Sequence, residues 1–209
     1  MKTVYKGRLI TFEGSEGSGK STQIEKLAHY LRQRKKPSLC LREPGGVVIS
    51  EKIRELLLDV QNTAMSDRCE TLLYMAARAQ LVDEIIVPAL KKGTIVLCDR
   101  FLDSTLVYQG YGNGVDLAFI KKIGDFVTRG IKPDLTFFFD IDAREGLARI
   151  NRAKDRIERR SLHYHNKVRE GYRQLARRSR GRIKTIVVNQ NPEEIHRVVC
   201  RYVDRLLGL

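Results

Sequence analysis

The sequence predicts a three-layer α/β/α fold in which a five-stranded parallel sheet lies between two layers of helices. Three observations support this fold class. Five short apolar runs alternate with stretches of helical periodicity along the chain. The runs are too far apart to pair as hairpins, and strands joined through helices form parallel sheets covered on both faces. The first run ends in a glycine-rich turn that leads directly into a helix, as in many α/β proteins.

The elements in the first half of the chain each have a local reason. The first helix carries Ile24, Leu27 and Leu31 at helical spacing, and Pro37 ends it. Strands are predicted where four or five apolar, β-favouring residues stand together. In order, we predict a strand at 9–12, a helix at 20–34, a strand at 38–41, a helix around 49–57, an apolar-periodic stretch at 69–90 and a strand at 94–98.

The second half continues the alternation and ends in a well-marked helix. Asn191 can cap that helix, Pro192 suits its first position, and Glu193 complements the positive end of its dipole. No repeat, low-complexity tract or linker interrupts the chain, so a single domain over 1–209 is expected. The remaining elements are a helix at 115–128 and strands at 135–141 and 184–188.

The composition indicates one soluble globular domain. The chain has 209 residues, of which 42% are hydrophobic and 31% charged, which disfavours disordered, collagen-like and membrane-spanning classes. No window reaches the roughly 18 apolar residues of a membrane helix, and the N-terminus has no signal-peptide core, so we expect a cytoplasmic protein with no membrane partner. The four scattered cysteines, which form no CxxC, are predicted to be buried thiols in a reducing compartment.

The positive charge is local. The formal net charge is +14, and the segment 144–184 alone contributes +11, from 15 basic and 4 acidic residues. Such a concentration requires an anionic partner or a local structural reason. The excess over 159–184 is predicted to be a solvated helical face.

A phosphate-binding motif follows the first predicted strand. Residues 14–21 match G-x-x-x-x-G-K-[ST] between a strand and a helix, which is the context that this motif requires. Backbone N–H groups of such a loop cradle phosphates, Lys20 is expected to reach the β- and γ-phosphates of a nucleoside triphosphate, and Ser21 to hold Mg²⁺. A plain glycine-rich turn is the alternative. The predicted ATP-binding residues are Gly14, Ser15, Glu16, Gly17, Ser18, Gly19, Lys20, Ser21 and Thr22.

An acidic residue at the end of a neighbouring strand is needed on the metal side. Asp99 ends the third strand, whereas Asp140 and Asp142 end the fourth. Asp99 is preferred, because Arg100 follows it and a guanidinium recognises phosphate in a bidentate manner. Asp142 also fits the cap of the next helix.

Six ordered segments resemble the bacterial thymidylate kinase family over nearly the whole chain. That resemblance implies a P-loop kinase fold with a short basic lid at about 149–160. It also implies transfer of the γ-phosphoryl group of Mg-ATP to dTMP, and a homodimer. The segments are Phe12-Glu13-Gly14, Arg42-Glu43-Pro44-Gly45-Gly46, Leu72-Leu73-Tyr74 to Arg78, Asp99-Arg100-Phe101, Ser104 to Gly110 and Lys132-Pro133-Asp134-Leu135.

The same resemblance implies a substrate site for dTMP. Tyr74 would stack on thymine and Arg78 would hydrogen-bond its edge, and their spacing of four on a predicted helix puts both on one side. Tyr108 would lie beneath the sugar, where the alternative is a loop tyrosine with a satisfied hydroxyl. The implied substrate-binding residues are Arg42, Arg54, Tyr74, Arg78, Arg100, Ser104, Thr105, Tyr108 and Gln109.

The basic segment is predicted to supply the lid. The P-loop has no arginine between its glycines, so a cation over the transferred phosphoryl group must come from elsewhere. The choice among the lid arginines stays open. Glu16 is interpreted as organising the Mg²⁺ water shell or a lid arginine, so that Ser21, Asp99 and Glu16 form the metal set. The predicted catalytic residues are Lys20, Arg100, Glu16, Arg149, Arg152 and Arg156.

Two other functions compete with this hypothesis. Another nucleoside monophosphate kinase would also use a P-loop, an Asp-Arg pair and a basic lid, but Tyr74, Arg78 and the Tyr-Gln-Gly segment argue against it. A nucleic-acid-binding P-loop protein would use the basic segment as a phosphate-tracking surface. That segment has no regular aromatic interleaving, so no nucleic-acid partner is expected.

Overall fold

The strands of the computed structural model, which describes residues 5–188 and 191–209, form one parallel sheet. They are β1 (Arg8–Gly14), β2 (Ser38–Arg42), β3 (Ile95–Asp99), β4 (Leu135–Asp140) and β5 (Ile183–Val187). Their order across the sheet is β2-β3-β1-β4-β5, with every neighbouring pair parallel. The predicted five-stranded parallel sheet is confirmed, and each strand begins and ends within two residues of its predicted bounds.

Helices cover both faces of the sheet, which confirms the three-layer α/β/α prediction. On one face Phe12, Phe137 and Phe139 pack in a core with the first and last helices, and on the other Leu9 and Val96 belong to a second core. The helices are α1 (Lys20–Gln33), α2 (Val48–Leu58), α3 (Asp67–Leu81), α4 (Val87–Lys91), α5 (Leu102–Thr105), α6 (Leu117–Val127), α7 (Ala143–Ala148), α8 (Leu162–Arg178) and α9 (Pro192–Leu207).

Two π-helical turns interrupt the α-helical pattern. The turn Val82–Ile86 joins α3 to α4, so the apolar-periodic stretch is one continuous helical segment. Pro88, which has no backbone N–H, lies directly after the π-helical turn, at the start of α4. The turn Leu106–Gly112 continues α5 and contains Tyr108, which is therefore helical rather than part of a loop. Such wide turns cannot be predicted from hydrophobic periodicity, because they shift it by one residue.

The cysteine prediction is half right. Cys98 and Cys200 are buried, but Cys40 and Cys69 are exposed. Cys40 lies on β2 at the edge of the sheet, and Cys69 lies in the first turn of α3. Apolar neighbours in sequence did not imply burial at either place.

The prediction of a solvated basic face over 159–184 holds for part of the segment, since Lys167, Arg177 and Arg178 of α8 are exposed, but other cations are paired within the fold. Arg169 and Arg173 both pair with Asp140 at the end of β4, at 2.7 and 2.9 Å. Arg182 forms a bidentate pair with Asp103, at 2.6 and 3.0 Å. Tertiary contacts to acids outside the segment therefore neutralise these cations, and sequence distance concealed those acids.

Two further points complete the fold. No helix among the described residues is long and apolar enough to cross a membrane. Residues 1–4 and 189–190, which the single-domain prediction includes, lie outside the described residues.

Candidate active site

The candidate site lies at the carboxyl edge of the sheet. Asp99 is in register with both Phe12 of β1 and Arg42 of β2, so the segments that follow these three strands converge there. A cavity of about 600 Å³ opens between them and the segment 149–158. The predicted residues that line it are Glu16, Gly17, Ser18, Gly19, Lys20, Ser21, Thr22, Arg42, Arg54, Tyr74, Arg78, Asp99, Arg100, Ser104, Thr105, Tyr108, Gln109, Arg149 and Arg152.

The P-loop turns tightly between β1 and α1. Gly17 and Gly19 adopt positive φ angles of 64° and 84°, which favour glycine. A Cβ on Gly17 would collide with the carbonyl oxygen of Gly146 in α7, so the loop and the start of the lid approach backbone to backbone.

Lys20 is held inside the loop by polar groups. Its Nζ donates to the carbonyl oxygens of Gly14 and Ser15, at 3.2 and 2.9 Å, and to Ser18 Oγ at 3.2 Å. Burial, followed by the charge of Arg100, lowers the pKa of the Lys20 ammonium. The Lys20 ammonium therefore lies at the phosphate loop, where a phosphate oxygen can replace its present hydrogen-bond partners.

Ser21 and Asp99 form the pair that fits Mg²⁺. Ser21 Oγ donates to Asp99 Oδ2 at 3.0 Å, so a hydroxyl oxygen and a carboxylate oxygen lie side by side at the cavity wall. Hard oxygen ligands of this kind suit Mg²⁺, which takes its other ligands from phosphates and water. No group of three or more acidic, histidine or cysteine side chains that could hold a metal occurs in the described part of the chain.

The two alternative acids at the end of β4 are used elsewhere. Asp140 binds Arg169 and Arg173, and Asp142 caps α7 by accepting from the backbone N–H groups of Arg144 and Glu145, at 3.0 and 3.4 Å. The preference for Asp99 over Asp140 and Asp142 agrees with these contacts.

Arg100 occupies a strained position at the centre of the site. Its φ of 70° lies in the left-handed region, which is uncommon for a residue with a side chain and recurs at functional sites. Its Nη2 donates to Glu16 Oε2 at 2.7 Å and its Nη1 to the Gly14 carbonyl at 2.9 Å. The guanidinium also lies over the ring of Tyr108, 4.9 Å from the ring centroid.

Both carboxylate oxygens of Glu16 accept hydrogen bonds from predicted substrate-binding residues. Its Oε1 accepts from the Tyr108 hydroxyl at 2.7 Å, while Oε2 accepts from Arg100. Burial alone would raise the pKa of the Glu16 carboxyl, but the charges of Arg100 and Lys20 outweigh it and lower the pKa to about 2. In this structure Glu16 orients Arg100, and its hydrogen bonds to described residues include no lid arginine.

Arg78 is almost fully engaged by protein atoms. Its Nε donates to Glu43 Oε2 at 2.7 Å, Nη1 to Thr105 Oγ1 at 2.9 Å and Nη2 to the Phe101 carbonyl at 3.0 Å. A weak 3.5 Å contact from Nη1 to the Met75 sulfur uses a fourth N–H. Among the described contacts, one N–H of the five in the guanidinium has no partner, and Arg78 lines the cavity.

The remaining predicted substrate residues line the same cavity with different degrees of constraint. Tyr74 lies one turn before Arg78 on α3, and burial raises the pKa of its phenol. Arg42 lies on the exposed edge and pairs with Glu51 at 2.9 Å, while Arg54 Nη1 donates to the Pro44 carbonyl at 2.9 Å.

The lid segment has a defined local structure. Asp155 Oδ1 accepts from the backbone N–H groups of Ile157 and Glu158, both at 2.9 Å, and Glu158 Oε2 accepts from the Asp155 N–H at 2.9 Å. Arg152 forms a bidentate pair with Glu158 at 2.7 and 2.9 Å. Arg149 pairs with Glu145 at 2.6 Å and reaches the Gly17 carbonyl at 3.5 Å.

Arg156 does not line the cavity, although we predicted it as a lid arginine. Its Nε donates to the Leu57 carbonyl at 2.8 Å and its Nη2 lies 2.7 Å from Glu70 Oε2. The guanidinium is therefore held between α2 and α3. In this structure only Arg149 and Arg152, among the three predicted lid arginines, face the cavity.

Two buried glutamates beside the site, Glu13 and Glu70, were not among the residues that the sequence singled out for the site. Glu13 accepts from the Phe101 N–H at 2.8 Å, from Ser104 Oγ at 2.6 Å and from the Tyr172 hydroxyl at 2.9 Å. Burial, and then the charge of Asp103, raise the pKa of the Glu13 carboxyl to about 7. The available signal was a charged residue at the end of an apolar strand. The second buried glutamate, Glu70, lies on α3, and its neighbours in the sequence do not indicate that it is buried.

A second cavity of about 570 Å³ lies beside the P-loop. It shares Ser18, Gly19, Thr22 and Arg149 with the first cavity and extends to Pro192 at the start of α9. The phosphate loop is therefore flanked by two spaces, and Arg149 borders both.

Comparison with known proteins agrees with these features. A family model described as thymidylate kinase matches residues 12–199. A thymidylate kinase of Carboxydothermus hydrogenoformans is 46% identical over 205 residues, covering 97% of this chain and 100% of that protein. One from Geobacillus sp. is 44% identical over 208 residues, covering 97% and 99%. The crystal structure of thymidylate kinase from Ehrlichia chaffeensis superposes with a TM-score of 0.78 and 32% identity, covering 94% of this chain and 98% of that one.

Proposed function

This chain belongs to the thymidylate kinase family, and from that premise we propose that it transfers the γ-phosphoryl group of ATP to the 5′-phosphate of dTMP, giving dTDP and ADP. The observation that carries the proposal is one cavity lined at one end by the P-loop and at the other by Tyr74, Arg78 and Gln109. The first group suits polyphosphate and the second suits a flat base. Arg100 lies where the two meet.

The second cavity supports a donor site on the opposite side of the P-loop. We assign the nucleoside of ATP to it, because its phosphates would then enter the loop while its base lies near Pro192. Arg149 borders both cavities and has no buried ion-pair partner among the described residues, so it is the lid arginine that we assign to the transferred phosphoryl group. Its pairing with Glu145 is surface-exposed and therefore weak.

The acceptor side has one set of residues for the base of dTMP and another for its phosphate. Tyr74 would lie against the face of thymine, and the free N–H of Arg78 would bond its edge. Arg100, with Arg42 and Arg54, would bind the acceptor phosphate. Ser104, Thr105, Tyr108 and Gln109 would complete the pocket around base and sugar.

The transfer itself requires positioning rather than a general base. The second pKa of a phosphate monoester is about 6, so the attacking oxygen of dTMP is mostly ionised at neutral pH. That oxygen forms a bond to the γ-phosphorus while the bond to the β,γ-bridging oxygen breaks, and ADP leaves with the electron pair. Lys20, Arg100 and Arg149 offset the repulsion between the two phosphates, and arginines in this role contribute about 10³ to 10⁵ in rate.

Ser21 and Asp99 would hold Mg²⁺ with the donor phosphates. The hydrogen bond of 3.0 Å between them holds the two oxygens close together, and two neighbouring oxygen ligands suit Mg²⁺. When bound, Mg²⁺ neutralises charge on the donor phosphates. The chain would fix these two oxygens beside Lys20. Glu16 has a different role, because its carboxylate holds the Arg100 guanidinium.

A homodimer is part of the proposal. Apolar side chains stand exposed along α3 and α6, namely Leu72 at 48%, Phe119 at 47% and Phe126 at 81%. Monomeric proteins rarely expose such a row, and a second copy of this face would cover it. We further propose one domain over 1–209, and an activity on ATP and dTMP calls for a cytoplasmic protein.

The competing functions have less support. A kinase for another nucleoside monophosphate has less support because the matching family model and the relatives reported above are thymidylate kinases. A nucleic-acid surface would need free cations, whereas Arg169, Arg173 and Arg182 are paired within the fold.

The experiment is a coupled ADP-release assay with Mg-ATP and dTMP, comparing the wild type with Arg100→Ala. Loss of the central cation is expected to lower kcat by about 10³-fold while the affinity for ATP, measured by displacement of a fluorescent nucleotide, changes little. Arg177→Ala is the matched control, because Arg177 is 67% exposed and does not line this cavity. Unchanged turnover in Arg100→Ala would contradict the proposal.

A further inference from the structure

Glu70 of α3 is a fully buried carboxylate that joins the lid to the acceptor pocket. Its Oε1 accepts from Gln109 Nε2 at 2.9 Å and from Asn113 Nδ2 at 3.1 Å. Its Oε2 accepts from Arg160 Nη2 at 3.0 Å and lies 2.7 Å from Arg156 Nη2. Oε1 therefore has two hydrogen-bond donors, whereas Oε2 has one hydrogen-bond donor, Arg160, and an ion pair with Arg156. The two oxygens serve different parts of the molecule.

The surroundings fix this carboxylate in place. Arg156 is tied to the Leu57 carbonyl at 2.8 Å, and Arg160 Nη1 donates to Asn113 Oδ1 at 2.8 Å. Each donor on Glu70 is thus held by a second contact or by the helix that carries it. A buried carboxylate with two guanidinium neighbours offers acceptors only.

The orientation of the Gln109 amide follows from this. A glutamine amide has a donor end and an acceptor end, and an acceptor-only partner must face the donor end. With Nε2 bound to Glu70, the carbonyl oxygen is turned the other way. Gln109 is 1% exposed and lines the acceptor part of the cavity, together with Tyr74 and Arg78.

We propose that Glu70 is a positioning residue that orients the Gln109 amide so that its carbonyl oxygen faces the acceptor base. The inference rests on the proposed function and deepens it. The carbonyl oxygen accepts from a base whose ring nitrogen carries a hydrogen, as N3–H of thymine does. It repels a base with a lone pair there, as at N3 of cytosine, so Glu70 selects the class of acceptor without touching it.

Glu70→Gln tests this role because it should change which end of the Gln109 amide faces the acceptor base. Arg156 and Arg160 would attract the carbonyl oxygen of the new amide, which turns its NH₂ group toward Gln109 and Asn113. Asn113 then loses this acceptor. The Gln109 amide must then rotate to offer its oxygen, and its NH₂ group faces the base instead. The variant therefore reverses the hydrogen-bonding polarity of the pocket.

The experiment compares kcat/KM for dTMP with kcat/KM for 5-methyl-dCMP, which keeps the methyl group but presents an acceptor at N3. We expect Glu70→Gln to lower the ratio of the two values by about tenfold or more, since one mismatched buried hydrogen bond is worth at least that. Arg78 still disfavours the exocyclic amine, so the ratio should stay above one. A purely structural role would reduce both values equally.

Two further variants keep the test decisive. Arg160→Met removes the ion pair with Oε2 and the hydrogen bond to Asn113 Oδ1, but it leaves the bond between Glu70 and Gln109. Its substrate ratio should therefore match the wild type even if its Tm falls. Glu70→Asp keeps the charge for both arginines but withdraws the oxygens by about 1.5 Å. It should lower the ratio in the same direction, and it serves if Glu70→Gln does not fold.

The outcomes separate this inference from the function on which it rests. A wild-type protein without preference for dTMP over 5-methyl-dCMP would contradict the proposed function, and the inference with it. A wild-type preference that persists within about twofold in Glu70→Gln, or in Glu70→Asp if that variant is the one that folds, would contradict the role of Glu70 alone.

Discussion

Two glutamates three residues apart, Glu13 and Glu16, have opposite electrostatic environments. Both are buried, and burial alone raises the pKa of a carboxyl. At Glu16 the charges of Arg100 and Lys20 outweigh burial, and the pKa falls to about 2. At Glu13 the nearby charge of Asp103 adds to burial, and the pKa rises to about 7. One residue therefore stays charged and holds Arg100, whereas the other takes up a proton near neutral pH.

Glu13→Gln should change how stability depends on pH. The fold favours the protonated form of Glu13, so its contribution to the free energy of unfolding is full below pH 4.5 and is lost as pH rises toward about 7. The free energy of unfolding of the wild type, relative to Glu13→Gln, should fall by about 1 to 3 kcal/mol between pH 5 and 7.5. Urea unfolding at each pH measures this, and a constant difference would contradict it.

The chemistry of single residues was predictable where a short motif carries it. The P-loop and the Asp99-Arg100 pair stand in the sequence as contiguous residues with a chemical reason for each. The partners of Arg100 were not predictable, because Glu16 reaches it only where β1 and β3 lie side by side, and Tyr108 only through the π-helical turn after α5. Arg156 failed for the same reason: its acidic partner, Glu70, lies on another helix.

The elements of secondary structure were predictable where hydrophobic periodicity is regular. All five strands follow from short apolar runs, and Asn191 caps α9 as expected, accepting from the Glu193 N–H at 2.9 Å. The two π-helical turns were not predictable, since an inserted residue breaks the period. One of them, Leu106–Gly112, carries Tyr108 and Gln109 into the cavity.

Helix α8 is attached to the sheet by charge as well as by apolar contacts. Asp140, 10% exposed, receives both Arg169 and Arg173, so Asp140→Asn leaves two cations with a neutral partner. We expect a loss of about 1 to 2 kcal/mol in the free energy of unfolding, because the site is only partly buried. Thermal and urea unfolding measure this.

Glu170→Gln is the matched control for that variant. Glu170 pairs with Arg177 on the same helix at 3.7 Å, with both side chains about half exposed or more. Pairs of this kind contribute little, so the control should change stability by less than about 0.5 kcal/mol. Equal effects in the two variants would contradict the role assigned to Asp140.

At the scale of the whole molecule, the net charge stays at +14, but the positive charge of the basic segment is less concentrated in space than it is in sequence. Acids far from the basic segment in sequence pair with it in space: Glu70 with Arg160, Asp103 with Arg182, and Asp140 with two arginines of α8. The segment therefore joins the lid, α8 and β5 to the rest of the fold. A polyanion is not needed to explain it.

The exposed apolar row on α3 and α6 leads to a prediction about assembly. Phe126→Lys places a charge on the most exposed of these side chains and should shift the protein from dimer to monomer in sedimentation velocity. Val187→Lys changes another exposed apolar residue, 56% exposed on β5, and should leave the sedimentation coefficient unchanged. A wild-type protein that sediments as a monomer would contradict the dimer proposal.

The most direct test of the central claim is a competition between acceptors. Mg-ATP is supplied in limiting amount with equal concentrations of dTMP and CMP, and the diphosphate products are separated by chromatography. A parallel reaction replaces CMP with AMP. We predict that dTDP predominates in both reactions, because Tyr74, Arg78 and Gln109 are arranged for the face and edge of thymine. Predominance of CDP, or faster phosphorylation of AMP, would contradict the account.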